Sequence, residues 1–128
     1  EDASLDAIHM VGRLDAPDIA ALLLESDLFC LPTRSEGFST SLLEAAACGT
    51  PSLVTDVGGA RELMPDESYG FVMPTADAGA FASIICRILR GKFDLPSMGD
   101  RCRNRVEEFC SWDATARQLI KAMRLDCC

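Results

Sequence analysis

The sequence is poor in basic residues, and this argues against one large class of partners. Lysine and arginine number 12, against 20 aspartates and glutamates, and the formal net charge is -8. A protein that binds nucleic acid needs a basic stripe to displace counterions from the phosphates. We therefore expect no nucleic acid as a partner. A small anionic ligand is still compatible with this charge, because a helix N-terminus supplies local positive potential.

The sequence also lacks the cysteine and histidine spacing of a disulfide framework or a metal site. Its seven cysteines are odd in number and include no CxxC pair, and its one histidine, His9, stands in an apolar run. This pattern favours reduced thiols, as in cytosolic proteins, and a packed histidine over a zinc ligand. We predict no bound metal from this pattern.

Long apolar runs are missing as well. No stretch reaches the ~18 apolar residues of a membrane-spanning helix, and we find no signal peptide. The chain has 128 residues, of which 48% are hydrophobic and 25% charged, which is the balance of one soluble domain with a core. We predict a cytoplasmic protein without a transmembrane segment.

Short apolar runs that stop at glycine or proline alternate with segments of helical periodicity. The runs predict strands at residues 8–11, 28–31, 52–55 and 70–73. The periodic segments predict helices from residue 16 to 27, from 39 or 41 to 48, and at 60–64, 80–89, 98–109 and 112–125. Such an alternation implies an α/β fold, with a parallel sheet covered by helices.

One stretch, residues 32–51, stands out because it combines a polar loop with a well-marked helix. Its two acids, Glu36 in the loop and Glu44 in the helix, are eight positions apart. Gly49 suits the left-handed position that ends a helix. We expect the other segments to serve as the scaffold that holds this turn.

Ligands of parallel α/β sheets bind outside the carboxyl ends of the strands. Three polar or glycine-bearing loops follow predicted strands, at residues 12–13, 34–41 and 56–62. We expect these loops to converge on one crevice. A diphosphate in that crevice would be attracted by the N–H groups at the start of the motif helix.

The residues alone leave the roles of the two acids open. Glu44 lies about one turn into the helix and could bind vicinal hydroxyls, such as those of a ribose, while Glu36 could contact a second hydroxyl-bearing group. Alternatively, Glu44 completes a capping box with Ser41 and Glu36 favours the helix dipole. Ser39 fits the cap position equally well.

A family resemblance separates these alternatives. The stretch EGFSTSLLEAAACGTP, residues 36–51, resembles the Glu-x7-Glu motif of group 1 glycosyltransferases, which are retaining, use nucleotide sugars and have the two-domain GT-B fold. The segments that flank the motif are also similar to that family. They are DLFCLPTRSEG before the motif, and PSLVTDVGGARELMPDESYGFVMP and FCSWDATARQLIKAMR after it. The resemblance covers roughly residues 8–125.

The resemblance implies a reaction and a set of residues. The implied reaction transfers a sugar from a nucleotide-diphosphate sugar to an acceptor with retention of configuration, as in polysaccharide biosynthesis. It requires neither a metal nor a cofactor, since the nucleotide sugar is a substrate. Glu36 would contact the donor sugar and is the candidate catalytic residue, while Glu44 would bind the ribose hydroxyls. The other donor-binding residues that the resemblance implies are Gly12, Arg13, Gly37, Phe38, Ser39, Thr40 and Ser41.

The resemblance also implies that residues 1–128 are only part of a C-terminal, donor-binding domain. The N-terminal acceptor domain would be missing. Two strands of the donor-binding domain and the Arg/Lys pair that binds the diphosphate would be missing as well. The implied fold is a partial Rossmann-like, three-layer α/β/α domain with about four parallel strands, inactive alone. Because its neighbouring strands would be missing, we expect the strand at 8–11 to form an unusual sheet edge or to pair with another chain in a dimer. The full-length parent would be cytoplasmic or peripheral at the inner membrane face.

Two other hypotheses stay open. The chain could be a truncated, non-catalytic relative that binds only a nucleotide or a partner subunit. It could instead be an unrelated, flavodoxin-like regulatory module whose glutamates are structural. A flavodoxin-like receiver would need an acidic cluster after the first strand, where this sequence has Gly12 and Arg13.

Overall fold

The structure, a computed structural model, describes residues 7–75 and 77–125. Its described part contains one sheet of three parallel strands, in the order β1-β2-β3. The strands are β1 (Phe29–Leu31), β2 (Ser52–Thr55) and β3 (Phe71–Met73). All four residues of the central strand β2 are buried, as expected for a strand with neighbours on both sides and helices on both faces.

Six helices accompany the sheet in the described ranges. They are α1 (Ala16–Glu25), α2 (Thr40–Cys48), α3 (Ala60–Leu63), α4 (Ala78–Leu89), α5 (Leu95–Phe109) and α6 (Trp112–Leu125). Helix α2 connects β1 to β2, and α3 connects β2 to β3. The predicted α/β class with a parallel sheet is confirmed.

A cluster of buried side chains lies on each face of the sheet. Val54 of β2 packs with Leu42 of α2 on one face. Leu53 and Phe71 pack with Ile84 of α4 on the other face. Because consecutive residues of a strand point to opposite faces, the adjacent pair Leu53 and Val54 supplies both clusters. The helices therefore form the outer layers of a three-layer α/β/α arrangement.

Helix α2, which carries Glu44, the second glutamate of the motif, has a firmly held C-terminus. Gly49 ends the helix in the left-handed conformation, at φ 74°, as predicted. The guanidinium group of Arg103 on α5 donates to the carbonyl oxygens of Ala47 at 3.1 Å and Cys48 at 2.5 Å. These hydrogen bonds satisfy carbonyls that have no partner within the helix. Helix α5 therefore fixes the end of α2 opposite to the motif loop, which is the segment of residues 32–39 between β1 and α2.

The predicted strand at residues 8–11 is wrong, and the sheet has three strands instead of about four. In the structure these residues are exposed, with Met10 at 92% and Ile8 at 63%. A strand needs a neighbour for its N–H and C=O groups, and no described strand pairs with this segment. Strand β1 is therefore an edge of the described sheet.

Candidate functional site

Two loops meet at the carboxyl edge of the sheet. One, residues 32–39, runs from β1 into α2, and the other, residues 56–59, runs from β2 into α3. They share a small cavity of about 10 Å³, which is the space of about one water molecule. Its lining residues are Leu31, Thr33, Glu36, Phe38, Ser39, Leu42, Val54, Thr55, Val57, Gly59 and Ala60. A ligand as large as a diphosphate therefore has to bind over this cavity.

Buried threonine Thr55 holds the start of the first loop. Its hydroxyl donates to the carbonyl oxygen of Thr33 at 2.6 Å, and its side chain is only 2% exposed. Thr33 in turn donates from its own hydroxyl to the carbonyl oxygen of Ser35 at 3.2 Å. The segment that leads to Glu36 is thus tied to the end of β2, the central strand.

The N-cap of helix α2 is Ser39 and not Ser41. The Ser39 hydroxyl accepts a hydrogen bond from the Leu42 N–H at 3.3 Å. With this start, Leu42 occupies the third helical position, where a capping box requires a glutamate or glutamine. The predicted capping box of Ser41 and Glu44 is therefore wrong. Glu44 lies two positions further along the helix, which leaves its exposed carboxylate without a capping role.

The N-terminus of α2 carries free donors. The first intrahelical bond is donated by Leu43 to the Ser39 carbonyl oxygen at 3.2 Å. The N–H groups of Thr40 and Ser41 precede it and have no partner within the helix. Both residues are exposed, so these donors face solvent at the positive end of the helix dipole.

The two acids occupy different parts of the site. Glu36 lines the small cavity together with Phe38 and Ser39, and its side chain is exposed. Glu44 does not line that cavity and lies exposed on the surface of α2. Glu36 therefore lies where the two loops meet, whereas Glu44 lies on the surface of α2 outside that cavity.

Cationic side chains are scarce around the site. Arg61 at the start of α3 forms a surface ion pair with Asp56, with 2.7 Å between Nε and Oδ2. Arg34 is exposed and lines an open groove of about 550 Å³ between the first loop and α4. Arg34 is therefore better placed than Arg61 to meet a bound anion.

The structure brings together two of the three loops that we expected to converge. Gly12 and Arg13 are both exposed and do not line the cavity between the other two loops. Gly12 has a φ of 70°, which marks a turn before α1. A contact of these two residues with a ligand stays a prediction.

Two residues that shape the site, Thr33 and Thr55, have no signal in the sequence. Thr33 and Thr55 were not recognised because their hydrogen bond joins positions 22 apart in the sequence. The loop that contains Gly58 and Gly59 was expected to meet the loop at 34–41, and the structure adds that this turn packs directly on residues 36–38. Two adjacent glycines after a strand were the available signal, since such a pair permits close approach of another backbone.

The described part of the chain shows neither a metal-binding cluster nor a membrane-spanning helix. Residues 7–75 and 77–125 include no cluster of three or more histidine, cysteine, aspartate or glutamate side chains that could hold a metal ion. No helix in these ranges is long and apolar enough to cross a membrane.

The family described as "Glycosyl transferases group 1" matches residues 1–91 of the chain. The "MMP alpha-(1->4)-mannosyltransferase" of Mycolicibacterium hassiacum is 32% identical over 116 residues, which are 90% of this chain and 28% of that protein. The "N-acetyl-alpha-D-glucosaminyl L-malate synthase" of Bacillus anthracis is 34% identical over 103 residues, 80% of this chain and 26% of that protein.

Among solved structures, the chain is similar to a sucrose-phosphate synthase from Thermosynechococcus elongatus. The TM-score is 0.82 at 32% sequence identity, and the match covers 94% of this chain and 30% of that one. Across these similarities the chain spans less than a third of the length of the proteins it matches.

Proposed function

The chain belongs to the family of glycosyl transferases group 1, and we propose that it forms the donor-binding part of a retaining enzyme that uses a nucleotide-diphosphate sugar. The resemblance predicted from residues 36–51 is confirmed by the family match, which rules out an unrelated flavodoxin-like module. The activity and substrates of the whole enzyme are part of the proposal, because the chain spans 28% of the mannosyltransferase that it matches.

The proximity of two groups in the structure supports the proposal. The free N–H groups of Thr40 and Ser41 and the carboxylate of Glu36 lie at the same edge of the sheet, on either side of Ser39. The N–H groups and the helix dipole suit the diphosphate of a donor. A carboxylate beside them suits the hydroxyl groups of the sugar that the diphosphate carries. The backbone of Gly37 and Phe38 completes the same side of the proposed pocket.

Glu36 is the proposed catalytic residue. Its exposed carboxylate would accept hydrogen bonds from the donor sugar, and its negative charge would lie close to the ring. Glycosyl transfer passes through a transition state in which the ring gains positive charge. A fixed carboxylate therefore stabilises the transition state more than the ground state.

Glu44 is the proposed ribose ligand. Because Ser39 caps the helix without it, its carboxylate is available to accept hydrogen bonds from both hydroxyls of a ribose. Gly12 and Arg13 are proposed to border the base. Neither residue lines the cavity, which fits a nucleotide that extends away from it.

The charge on the diphosphate limits what this chain does alone. The described residues offer the dipole of α2 and Arg34, while Arg61 is engaged by Asp56. We therefore propose that the isolated chain binds donor weakly and does not turn it over. An N-terminal acceptor domain, a cytoplasmic location and a role in polysaccharide biosynthesis complete the proposal for the full-length parent.

A non-catalytic relative that binds a partner is the second candidate, and helix α6 favours it. Trp112, Leu119 and Met123 are spaced to share one face of α6 and are 90%, 60% and 60% exposed. An apolar face of this kind suits a protein partner. This candidate predicts nucleotide binding that does not distinguish a nucleotide sugar from the bare nucleotide.

Calorimetric titration with nucleoside diphosphates and nucleotide sugars tests these assignments. We expect Glu44→Ala to weaken binding of both ligand classes by about tenfold, the loss of roughly 1.4 kcal/mol in hydrogen bonds. We expect Glu36→Ala to weaken only the nucleotide sugars. Glu107→Ala, which removes an exposed acid on α5, serves as the charge-matched control and should change neither affinity. Unchanged nucleotide affinity in Glu44→Ala would show that the ribose assignment is wrong.

A further inference from the structure

The glycine turn after β2 packs directly on the backbone of the motif loop. A Cβ atom built on Gly58 would lie 2.8 Å from the carbonyl oxygen of Glu36 and closer still to that of Gly37. Real Cβ atoms essentially never come within 3.0 Å of such atoms. Any side chain at position 58 therefore has to push the motif loop away, since the obstacle is backbone.

The neighbouring glycine makes a second contact, with a side chain. A Cβ atom on Gly59 would overlap the ring of Phe38, with Cζ at 3.3 Å and two other ring carbons nearer. Gly59 has an ordinary φ of -84°, so the contact and not the backbone conformation demands glycine here. Phe38 is 46% exposed, and its ring lies over the bare backbone of Gly59.

The two partners differ in how firmly they are held. The turn follows the fully buried strand β2, and the Asp56 N–H donates to the Met73 carbonyl oxygen at 2.7 Å. It leads into α3, whose Ala60 is 4% and Leu63 2% exposed. Residues 34–38 are exposed throughout. The turn is thus held at both ends by buried residues and is the fixed support, and the motif loop is the part that it holds.

We propose that Gly58 and Gly59 are positioning residues that set the place of Glu36 for the donor sugar. Gly58 acts through the backbone of Glu36 and Gly37, and Gly59 acts through the ring of Phe38. Neither glycine has a side chain that could touch the sugar. This role rests on the proposed function, because it assumes that Glu36 meets the donor.

A double-mutant cycle tests the contact of Gly59. The variants are Gly59→Ala, Phe38→Ala and the double variant, titrated with whichever of UDP-glucose, GDP-mannose or UDP-N-acetylglucosamine binds the unmodified protein most tightly. Gly59→Ala should weaken binding at least tenfold when Phe38 is present and less than twofold in the Phe38→Ala background. Equal losses in both backgrounds would contradict the proposal, because the ring would then not transmit the change.

Gly58→Ala has a matched control in Gly91→Ala. Both glycines have positive φ, 52° and 66°, but a Cβ on Gly91 would meet nothing within 4 Å. The two alanines therefore carry similar backbone strain, and only the one at position 58 displaces the motif loop. We expect Gly58→Ala to weaken binding at least tenfold relative to Gly91→Ala. Equal affinities would overturn the proposal.

Trypsin cleavage after Arg34 supplies a readout that needs no ligand. A displaced motif loop should be cut several-fold faster in Gly58→Ala than in Gly91→Ala, because exposed and loosely held loops are the preferred sites of proteolysis. Equal cleavage rates in the two variants would refute the proposal that the glycine turn supports the motif loop. If the unmodified protein binds no nucleotide sugar while cleavage differs, the proposed function fails and the support of the loop by the turn stands.

Discussion

Replacing Thr55 by valine removes one buried hydroxyl and keeps the size of the side chain nearly constant. The lost hydrogen bond is the 2.6 Å contact with the carbonyl oxygen of Thr33, which ties the motif loop to β2. A second, longer contact of 3.4 Å to the Leu31 carbonyl oxygen disappears with it. The substitution thus loosens the loop without opening a cavity in the core.

The structure sets the size of the effect. A buried carbonyl left without its partner costs about 1–3 kcal/mol. Thr33 is only half-buried, so water satisfies part of the loss and we expect the lower end, about 1 kcal/mol. For a chain of this length that corresponds to a fall of about 4 °C in Tm. Chemical denaturation followed by circular dichroism measures the free energy of unfolding directly.

Thr50→Val is the matched control. Its hydroxyl donates to the Leu23 carbonyl oxygen at 2.8 Å, and the residue is 3% exposed. It stands before β2, at the opposite end of the strand from the motif loop. Both variants should lose similar stability, but only Thr55→Val should weaken the binding of a nucleotide sugar, by about threefold to tenfold. Equal donor affinities in the two folded variants would refute the positioning role of the Thr33–Thr55 bond.

Three further predictions concern the scaffold and its titratable groups. Arg103→Leu should destabilise the fold by about 1–2 kcal/mol in chemical denaturation, because it removes charged hydrogen bonds to the last carbonyls of α2. Burial raises the pKa of the Cys102 thiol to about 11, so iodoacetamide at pH 8 should leave it unlabelled in the folded protein and label it in denaturant. Hydrogen bonds from the side chain and backbone of Ser97 lower the pKa of the Asp94 carboxyl. Its stabilising effect is therefore full above its unfolded pKa of about 3.9 and lost as pH falls through the folded value, so Asp94→Asn should flatten the acid limb of the stability profile.

Each of these predictions has an internal comparison. Arg101→Leu removes a hydrogen bond to the exposed Ser68 and should cost less than Arg103→Leu. Exposed Cys110 should be labelled in the folded protein, and labelling of Cys102 at the same rate would contradict its burial. Ser97→Ala, which removes the hydroxyl that donates to Asp94 Oδ2 at 2.7 Å, should flatten part of the same acid limb.

The elements were predictable where their signals are local. Asp15 caps α1 by accepting from the Asp18 N–H at 3.1 Å, and Gly49 ends α2, both as their positions in the sequence indicate. The strands at 52–55 and near 28–31 and 70–73 end at polar or proline residues. Local chemistry of this kind needs no knowledge of what lies on the other side of the sheet.

The errors arise where a second segment decides the outcome. Residues 8–11 have the composition of a strand, but a strand also requires a neighbour, which no described segment supplies. The choice between Ser39 and Ser41 as the cap is an exception, since it is local, and the hydrogen bond from the Leu42 N–H to the Ser39 hydroxyl decides it in favour of Ser39. The convergence of the loops at 34–41 and 56–62 was predicted, but their direct packing at Gly58 and Gly59 depends on the distance between the two loops, which periodicity does not encode.

The central claim is that a donor diphosphate binds at the N-terminus of α2, between Glu36 and Glu44. The most direct measurement is the change in backbone amide chemical shifts when a nucleoside diphosphate is added to the isotope-labelled chain. We expect the largest shifts at Thr40 and Ser41, with smaller ones at Gly37 and Phe38, and none at the N-terminus of α4. Shifts centred on α4 or α6, or none at saturating nucleotide, would contradict the claim.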